Sequence, residues 1–323
     1  MVDLATIQTA RQRLAGHVRR TPLIGVEGLL QPVSALRLTL KLESLQVTGS
    51  FKARGAAHKV LTLSADEAGR GLVTASGGNH GLGVAYAGRR AGAPVTIYLP
   101  GNTPPAKAEK LERWGARVVW HGSVWDEADA AARESAAREG LTYVHPFADP
   151  AVVAGQGTIG LEILEDDPEP DLLLVAIGGG GLISGVATAV KALRPSVRVI
   201  GVEPTGAPTL FASLRAGEVV ELEGISTAAN SLAPRRSSEL NFEIIRRTVD
   251  EIVLVEDHEM RAAARWLWFE LGIGAELSGA AALAALLAGR AHGEGRSVCA
   301  LVCGAGTDGL AAVREHPDGG LLS

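Results

Sequence analysis

Short β-rich runs alternate with stretches of helical spacing from residue 71 onward, and no other feature restricts the fold so strongly. The apolar run GLVTA precedes a helical stretch over 80–91, followed by APVTIYLPG, the helix-like PPAKAEKLERWG, ARVVWHG, a helix near 125–139 and LTYVHPF. A second series repeats the logic with DLLLVAI (171–177), a helix over 182–193, VRVIGVE (197–203), EIVLV (251–255), helices near 257–271 and 278–289, and SVCALVC. Strands joined by helices of about 10 to 15 residues run parallel, because each helix returns the chain to the edge where the strand began. The pattern therefore predicts two α/β sheets. No Pro- or Ser-rich linker separates them, so they form two packed domains whose cleft is a natural ligand site. The segment 218–238 has weak periodicity and reads as a long surface loop.

A chain of 323 residues with 46% hydrophobic content can fill two such cores. Its net charge of -5, from 31 basic and 36 acidic residues spread along the chain, offers no basic face for nucleic acid and no polybasic arm for a membrane surface. The N-terminal MVDLATIQTARQRLAGHVRR is charged and helically patterned, unlike a signal peptide, and no apolar run reaches about 18 residues. A cytoplasmic protein is expected. Cys299 and Cys303 fall on one face of SVCALVC with Cα atoms roughly 13 Å apart, beyond the limit of about 7 Å for a disulfide. The eight histidines show no paired spacing that would mark a zinc site.

Three glycine-rich turns stand at the carboxyl ends of predicted strands, where open α/β sheets place their ligands. In AIGGGGLISG the glycines Gly178, Gly179, Gly180 and Gly181 lead into a helix, exposing main-chain N–H groups at a positive helix end, a recipe for holding phosphate. A tight turn without a ligand is the alternative. The run does not fit G-x-G-x-x-G in any register, yet Glu203 ends the next strand about 20 residues on, where a dinucleotide fold places its ribose-binding acid. A nicotinamide-dependent oxidoreductase therefore stays open at this point. In ASGGNHGLG, Ser76, Gly77, Gly78 and Asn79 form a donor-rich lip suited to a carboxylate, with helix capping as the alternative. In VCGAGTDG, Cys303 reads either as a nucleophile or as a buried, inert thiol.

Lysine is scarce, six against 25 arginines, so Lys52 in SFKARG draws notice. Between Phe51 and the small residues Ala53 and Gly55 it could be partly buried, which lowers an amine's pKa and favours Schiff-base formation. The local sequence leaves this open against an ordinary surface charge.

SFKARGA, SGGNHG, GGGGLISG and CGAGTDG, in this order and spacing, resemble the fold-type II pyridoxal-phosphate enzymes, nearest the threonine/serine dehydratase and serine racemase branch. ARQRLAGHVRRTPL, HPFADP, AGQGTIGLEIL and VIGVEP extend the resemblance over nearly the whole chain. It implies a two-domain α/β fold like the tryptophan synthase β subunit, each domain an open, mostly parallel sheet flanked by helices. Residues 1–46 and 147–323 would form the large cofactor-binding domain and 47–146 the small one. Lys52 would bind pyridoxal 5'-phosphate covalently and then serve as the base at the substrate Cα. Phe51 would flank the ring, Asn79 would bond its 3-hydroxyl, and Gly178, Gly179, Gly180, Gly181 and Leu182 would hold the phosphate. Cys303 would face the pyridine nitrogen, while Ser76, Gly77, Gly78, Asn79 and His80 would grip the substrate carboxylate. The implied activity is β-elimination from L-threonine or L-serine to a 2-oxo acid and ammonia, in a homodimer.

The chain also departs from that pattern. Serine racemases typically follow the residue equivalent to Ser76 with a serine that works on the opposite face, and Gly77 stands here, so elimination is expected over racemisation. The relatives' divalent-cation site maps onto Glu203, Ala207 and Thr209, one carboxylate short, which leaves Glu203 and Ala207 as metal candidates and a divalent or monovalent cation open. AAN, Ala228 to Asn230, replaces ADG in a pocket-facing loop, so dehydration of another β-hydroxy amino acid, such as a hydroxyaspartate or phenylserine, is a rival. A racemase with side eliminase activity and a catalytically dead ligand-binding module complete the alternatives. Only 14 residues follow Gly309, so a regulatory domain and isoleucine feedback are not expected.

Overall fold

The computed structural model describes residues 2–306 apart from 34, 36, 168 and 294. The first half of the chain runs α1 (Leu4–Leu14), β1 (Leu23–Gly25), β2 (Arg37–Leu42), α2 (Lys52–Leu61), α3 (Ala65–Arg70), β3 (Leu72–Ala75), α4 (Asn79–Ala91), β4 (Val95–Leu99), α5 (Pro105–Arg113), β5 (Arg117–Trp120), α6 (Trp125–Glu139) and β6 (Thr142–Tyr143). The second half runs α7 (Pro150–Asp166), β7 (Leu172–Ala176), α8 (Gly181–Leu193), β8 (Arg198–Pro204), α9 (Thr209–Ala216), α10 (Glu239–Thr248), β9 (Glu251–Val255), α11 (Asp257–Leu271), α12 (Leu277–Leu287) and β10 (Ser297–Val302).

Two sheets result, as the alternation predicts. One has four strands in the order β5-β4-β3-β6, all parallel. The other has six in the order β1-β2-β10-β7-β8-β9, parallel except for β1 against β2. The central strand β7 is LLLVA with every residue buried, as a parallel strand covered on both faces requires. The strand β10 enters between β2 and β7, pairing Val302 with Leu42 and Ala300 with Leu174. Helix α12 packs across β7, β8, β9 and β10, while α8 lies on β7 with α7 and α10 packed against it.

Two expectations need correction. The series of strands begins before residue 71, since β1 and β2 complete the larger sheet; the first is only three residues long and its turn signals are sparse. The segment 218–238 is not a plain surface loop. Ala229, Leu232 and Ser237 are buried, Asn230–Leu232 forms a 3-10 turn, and Glu221 bridges to Arg236. A loop that packs through isolated residues around a cavity leaves no periodic signal.

Candidate active site

Loops at the carboxyl ends of β3, β4 and β7 enclose a cavity of about 1020 Å³, closed on another side by Ala228, Asn230 and their neighbours. An inner recess opens from it, lined by Phe51, Lys52, Asn79, the four glycines 178–181, Leu182 and Cys303. Residues from four separate motifs thus meet at one place.

Lys52 is the first residue of α2, with Phe51 at the helix cap. Its side chain is half-buried; Nζ donates to the main-chain oxygen of Pro146 at 2.8 Å and lies 5.1 Å from the centre of the Phe51 ring. Burial pulls the amine down to about 8, against the opposing influence of Cys303 and Glu276. A neutral, nucleophilic fraction is then present near neutral pH, which a solvated lysine lacks. Helix α4 lies so close to α2 that a Cβ on Gly83 would stand 3.0 Å from the Lys52 carbonyl.

The chain ahead of Lys52 is fixed from the far end of the sequence. Phe51 N donates to Cys303 O at 3.2 Å, Ala305 N donates to Gly49 O at 2.8 Å, and Ser50 bridges Gly304. Thr48 holds a φ of 64°, the one non-glycine left-handed residue among those described. Beyond Lys52, the buried Arg54 grips both oxygens of Glu43, at 2.8 and 2.9 Å, and both of Glu162, at 2.6 and 2.8 Å. Lys41 joins Glu162 at 2.6 Å, so two cations face two carboxylates in the interior.

On the opposite wall α4 starts at Asn79 with Gly78 at its cap and no side-chain capping bond; Ser76 Oγ accepts from Gly78 N at 3.3 Å. The first-turn N–H groups have no intrahelical partner, so they remain available to an anion. The His80 ring is committed elsewhere. Its Nε2 lies 2.9 Å from Val144 O and 3.1 Å from Thr74 Oγ1, and burial drives its pKa to about 3. Only the main-chain N–H of His80 can serve this wall.

The four-glycine turn is shaped by packing. A Cβ on Gly179 would lie 2.3 Å from the Phe147 ring, and Gly180 takes a φ of +89°. The Gly179 oxygen accepts from Asn241 Nδ2 at 2.8 Å and Ser237 Oγ at 3.0 Å. Because a trans peptide sets C=O and N–H on opposite sides, this pins the Gly180 N–H the other way. Among the described residues, the N–H groups of the four glycines meet no protein acceptor, a cradle suited to phosphate.

Cys303 follows β10 directly; its Sγ donates to Ser278 O at 3.4 Å, and burial pushes the thiol well above its ordinary pKa. It stays a neutral thiol rather than a nucleophile. Cys299 is likewise buried, and both are free. Thr307, Asp308 and Gly309 of CGAGTDG lie outside the described residues.

The metal candidates are held by protein partners. Both Glu203 oxygens accept main-chain N–H groups at the start of α9, from Leu210 and Phe211 at 2.8 Å each. Ala207 O accepts from Thr209 N at 3.0 Å, and Thr209 Oγ1 donates to Pro234 O at 2.7 Å. Among the described residues no three His, Cys, Asp or Glu side chains converge on a metal position.

Sequence reading missed Glu276, Ser237 and Asn241. For Glu276 a signal existed: it is the one charge heading AELSGAAALAALL, whose helix is otherwise buried and apolar. Ser237 and Asn241 act on a main-chain oxygen, for which no motif exists.

A half-buried amine with a lowered pKa can condense with an aldehyde, and unpaired N–H groups at a helix start can hold a phosphate; the recess fits a cofactor that carries both. The whole sequence agrees. Residues 14–304 match the family described as pyridoxal-phosphate dependent enzyme, and the chain belongs to that family. It is similar to an L-threonine ammonia-lyase of Thermotoga maritima, 42% identical over 95% of this chain and 76% of that one. A catabolic L-threonine dehydratase of Staphylococcus aureus is 37% identical over 98% of this chain and 93% of the other. Among solved structures, maize serine racemase superposes with a TM-score of 0.90 at 33% identity, over 94% of this chain and 93% of that one. No helix among the described residues is long and apolar enough to cross a membrane.

Proposed function

We propose that this chain is a dehydratase and ammonia-lyase of L-threonine and L-serine, yielding 2-oxobutanoate or pyruvate and ammonia. The observation that carries the reading is the Lys52 amine, held down to about 8 in a recess that also contains the glycine cradle. The relatives named for L-threonine support the substrate. Bound pyridoxal phosphate supplies an aldehyde and an electron-withdrawing ring. Gly178, Gly179, Gly180, Gly181 and Leu182 would hold its phosphate, Phe51 would flank the ring, and Asn79 would meet the ring oxygen. The neutral Cys303 thiol would face the ring nitrogen and, unlike a carboxylate, would not hold a proton there. Ser76 Oγ and the main-chain N–H groups from Gly77 to His80, that of Asn79 among them, would bind the substrate carboxylate. Lys52 Nζ, once free, removes the Cα proton. Water leaves and is regained on hydrolysis, so the substrate atoms end in the 2-oxo acid and ammonia.

Gly77 supports elimination over racemisation, since no side chain there can return a proton from the other face. A larger β-hydroxy amino acid is the second reading, favoured by Ala228, Ala229 and Asn230 in the wall of the cavity. We further assign residues 47–146 to a small domain and 1–46 with 147–323 to a large one, supported by the two separate sheets. A homodimer in the cytoplasm completes the reading; the pairing, though not the location, is supported by Leu30 and Phe269, exposed at 88% and 65%.

The test is an absorbance spectrum of protein saturated with pyridoxal phosphate. A visible band present in wild type and absent in Lys52→Ala is expected, and its absence in wild type rejects the reading. A panel of β-hydroxy amino acids, followed by 2-oxo acid release, then separates L-threonine and L-serine from larger substrates.

A further inference from the structure

Glu276 brings a carboxylate into a recess where the function proposed above uses an amine, an amide and a thiol. It precedes α12, and its main-chain N–H donates to Gly304 O at 3.2 Å. The side chain is wedged in place: a Cβ on Gly304 would stand 2.8 Å from Oε1, and one on Gly306 2.6 Å from Oε2. Oε1 accepts from Asn79 Nδ2 at 2.6 Å, and Ser231 Oγ donates to Oε2 at 3.4 Å. The charge of Glu276 also reaches its neighbours, opposing the fall of the Lys52 pKa and adding to the rise of the Cys303 thiol.

A carboxylate accepts and does not donate, so it settles which end of the Asn79 amide faces it. One N–H of Nδ2 is consumed and the second is directed away at a fixed angle in the amide plane. Without Glu276 the amide is free to turn over and present its oxygen. The two orientations have opposite consequences for the ring oxygen of the cofactor, since a donor stabilises the ionised oxygen whereas an acceptor requires it to keep its proton.

We propose that Glu276 is a positioning residue that locks the Asn79 amide with its second N–H toward the ring oxygen of pyridoxal phosphate. This rests on the function proposed above, and the experiment separates the two. Wild type, Glu276→Leu, Glu276→Gln and Glu276→Asp are each loaded with pyridoxal phosphate. Dissociation constants and the ratio of the long-wavelength band (ring oxygen ionised) to the short-wavelength band (ring oxygen protonated) are recorded from pH 6 to 9. In Glu276→Leu we expect roughly tenfold weaker binding, the scale of one charge-assisted hydrogen bond, and a shift toward the short-wavelength band. Glu276→Gln accepts but can also donate and carries no charge, so it no longer settles the amide and falls between wild type and Glu276→Leu. Glu276→Asp keeps the charge and the helix start but withdraws the carboxylate by one methylene, so it follows Glu276→Leu and decides the matter if the leucine variant does not fold.

The cycle closes with Asn79→Ala, in which the effect of Glu276→Asp on the band ratio disappears. Wild-type band ratios in both Glu276→Leu and Glu276→Asp overturn the proposal, as does an undiminished Glu276→Asp effect without Asn79. Failure of wild type to show any visible band removes the functional reading and this proposal together.

Discussion

Arg54 stands two residues beyond Lys52 and binds four carboxylate oxygens in the interior, so it determines where α2 begins. Removing one member of a buried ion cluster leaves its partners charged and unpaired, which typically costs about 3–5 kcal/mol. Arg54→Met should therefore lower the unfolding free energy by roughly that amount in denaturant titration, while Arg113→Ala, whose pairing with Glu109 is exposed, should change it little. The loss in Arg54→Met extends to cofactor affinity, because Lys52 shares the same helical turn. Single residues also mark the limit of what could be read in advance. SFKARG displays a lysine and an arginine side by side, yet only the burial of each, invisible locally, separates the amine with a lowered pKa from the guanidinium that anchors it.

At the level of elements, the turn between β7 and α8 is the least tolerant piece of the site. A Cβ on Gly179 meets the Phe147 ring at 2.3 Å, and overpacking of this kind costs about 1–3 kcal/mol. Gly179→Ala should lose most of its affinity for pyridoxal phosphate in a fluorescence titration, whereas Gly78→Ala, where a Cβ meets nothing within 4 Å, should keep its melting temperature. The alternation of β-rich and helical runs made β3 to β10 legible, because parallel strands need helices between them and both carry strong periodicity. Helix α7 escaped the same reading. Twelve consecutive residues from Val152 to Ile163 are buried, so it presents no polar face to give an amphipathic stripe. The order of the strands was equally hidden, since nothing in SVCALVC states that it lies between LTLKL and LLLVA. The four motifs of the site were legible as motifs; their convergence depended on that strand order.

For the molecule as a whole, buried histidines and one buried acid set opposite pH limits. His80 and His145 are driven by burial to about 3 and about 4 from an ordinary 6.5. The unfolded chain takes up their protons first, so stability is lost as pH falls below 6.5, by about 1.4 kcal/mol per pH unit for each histidine. Glu203 is raised by burial to about 8 from 4.5, so its contribution is complete below 4.5 and is lost as pH rises through 8. From 4.5 to 6.5 the two histidines outweigh the single acid, and from 6.5 to 8 the acid acts alone. The melting temperature should therefore peak near 6.5, and Glu203→Gln should flatten the decline between 6.5 and 8; an unchanged decline would assign it to other groups. The placement of β10 between β2 and β7 has a further consequence, for synthesis. A ribosome that has delivered everything before Ser297 has made a chain whose larger sheet is still in two pieces, with two unpaired edges facing each other and no Cys303 to hold Phe51. Such a nascent chain has its lysine and its glycine turn but lacks the Phe51–Cys303 hydrogen bond and the Cys303 wall of the recess. Cofactor loading therefore has to wait for the closing strand, and during that interval the open edges are the part of the molecule most in need of a chaperone.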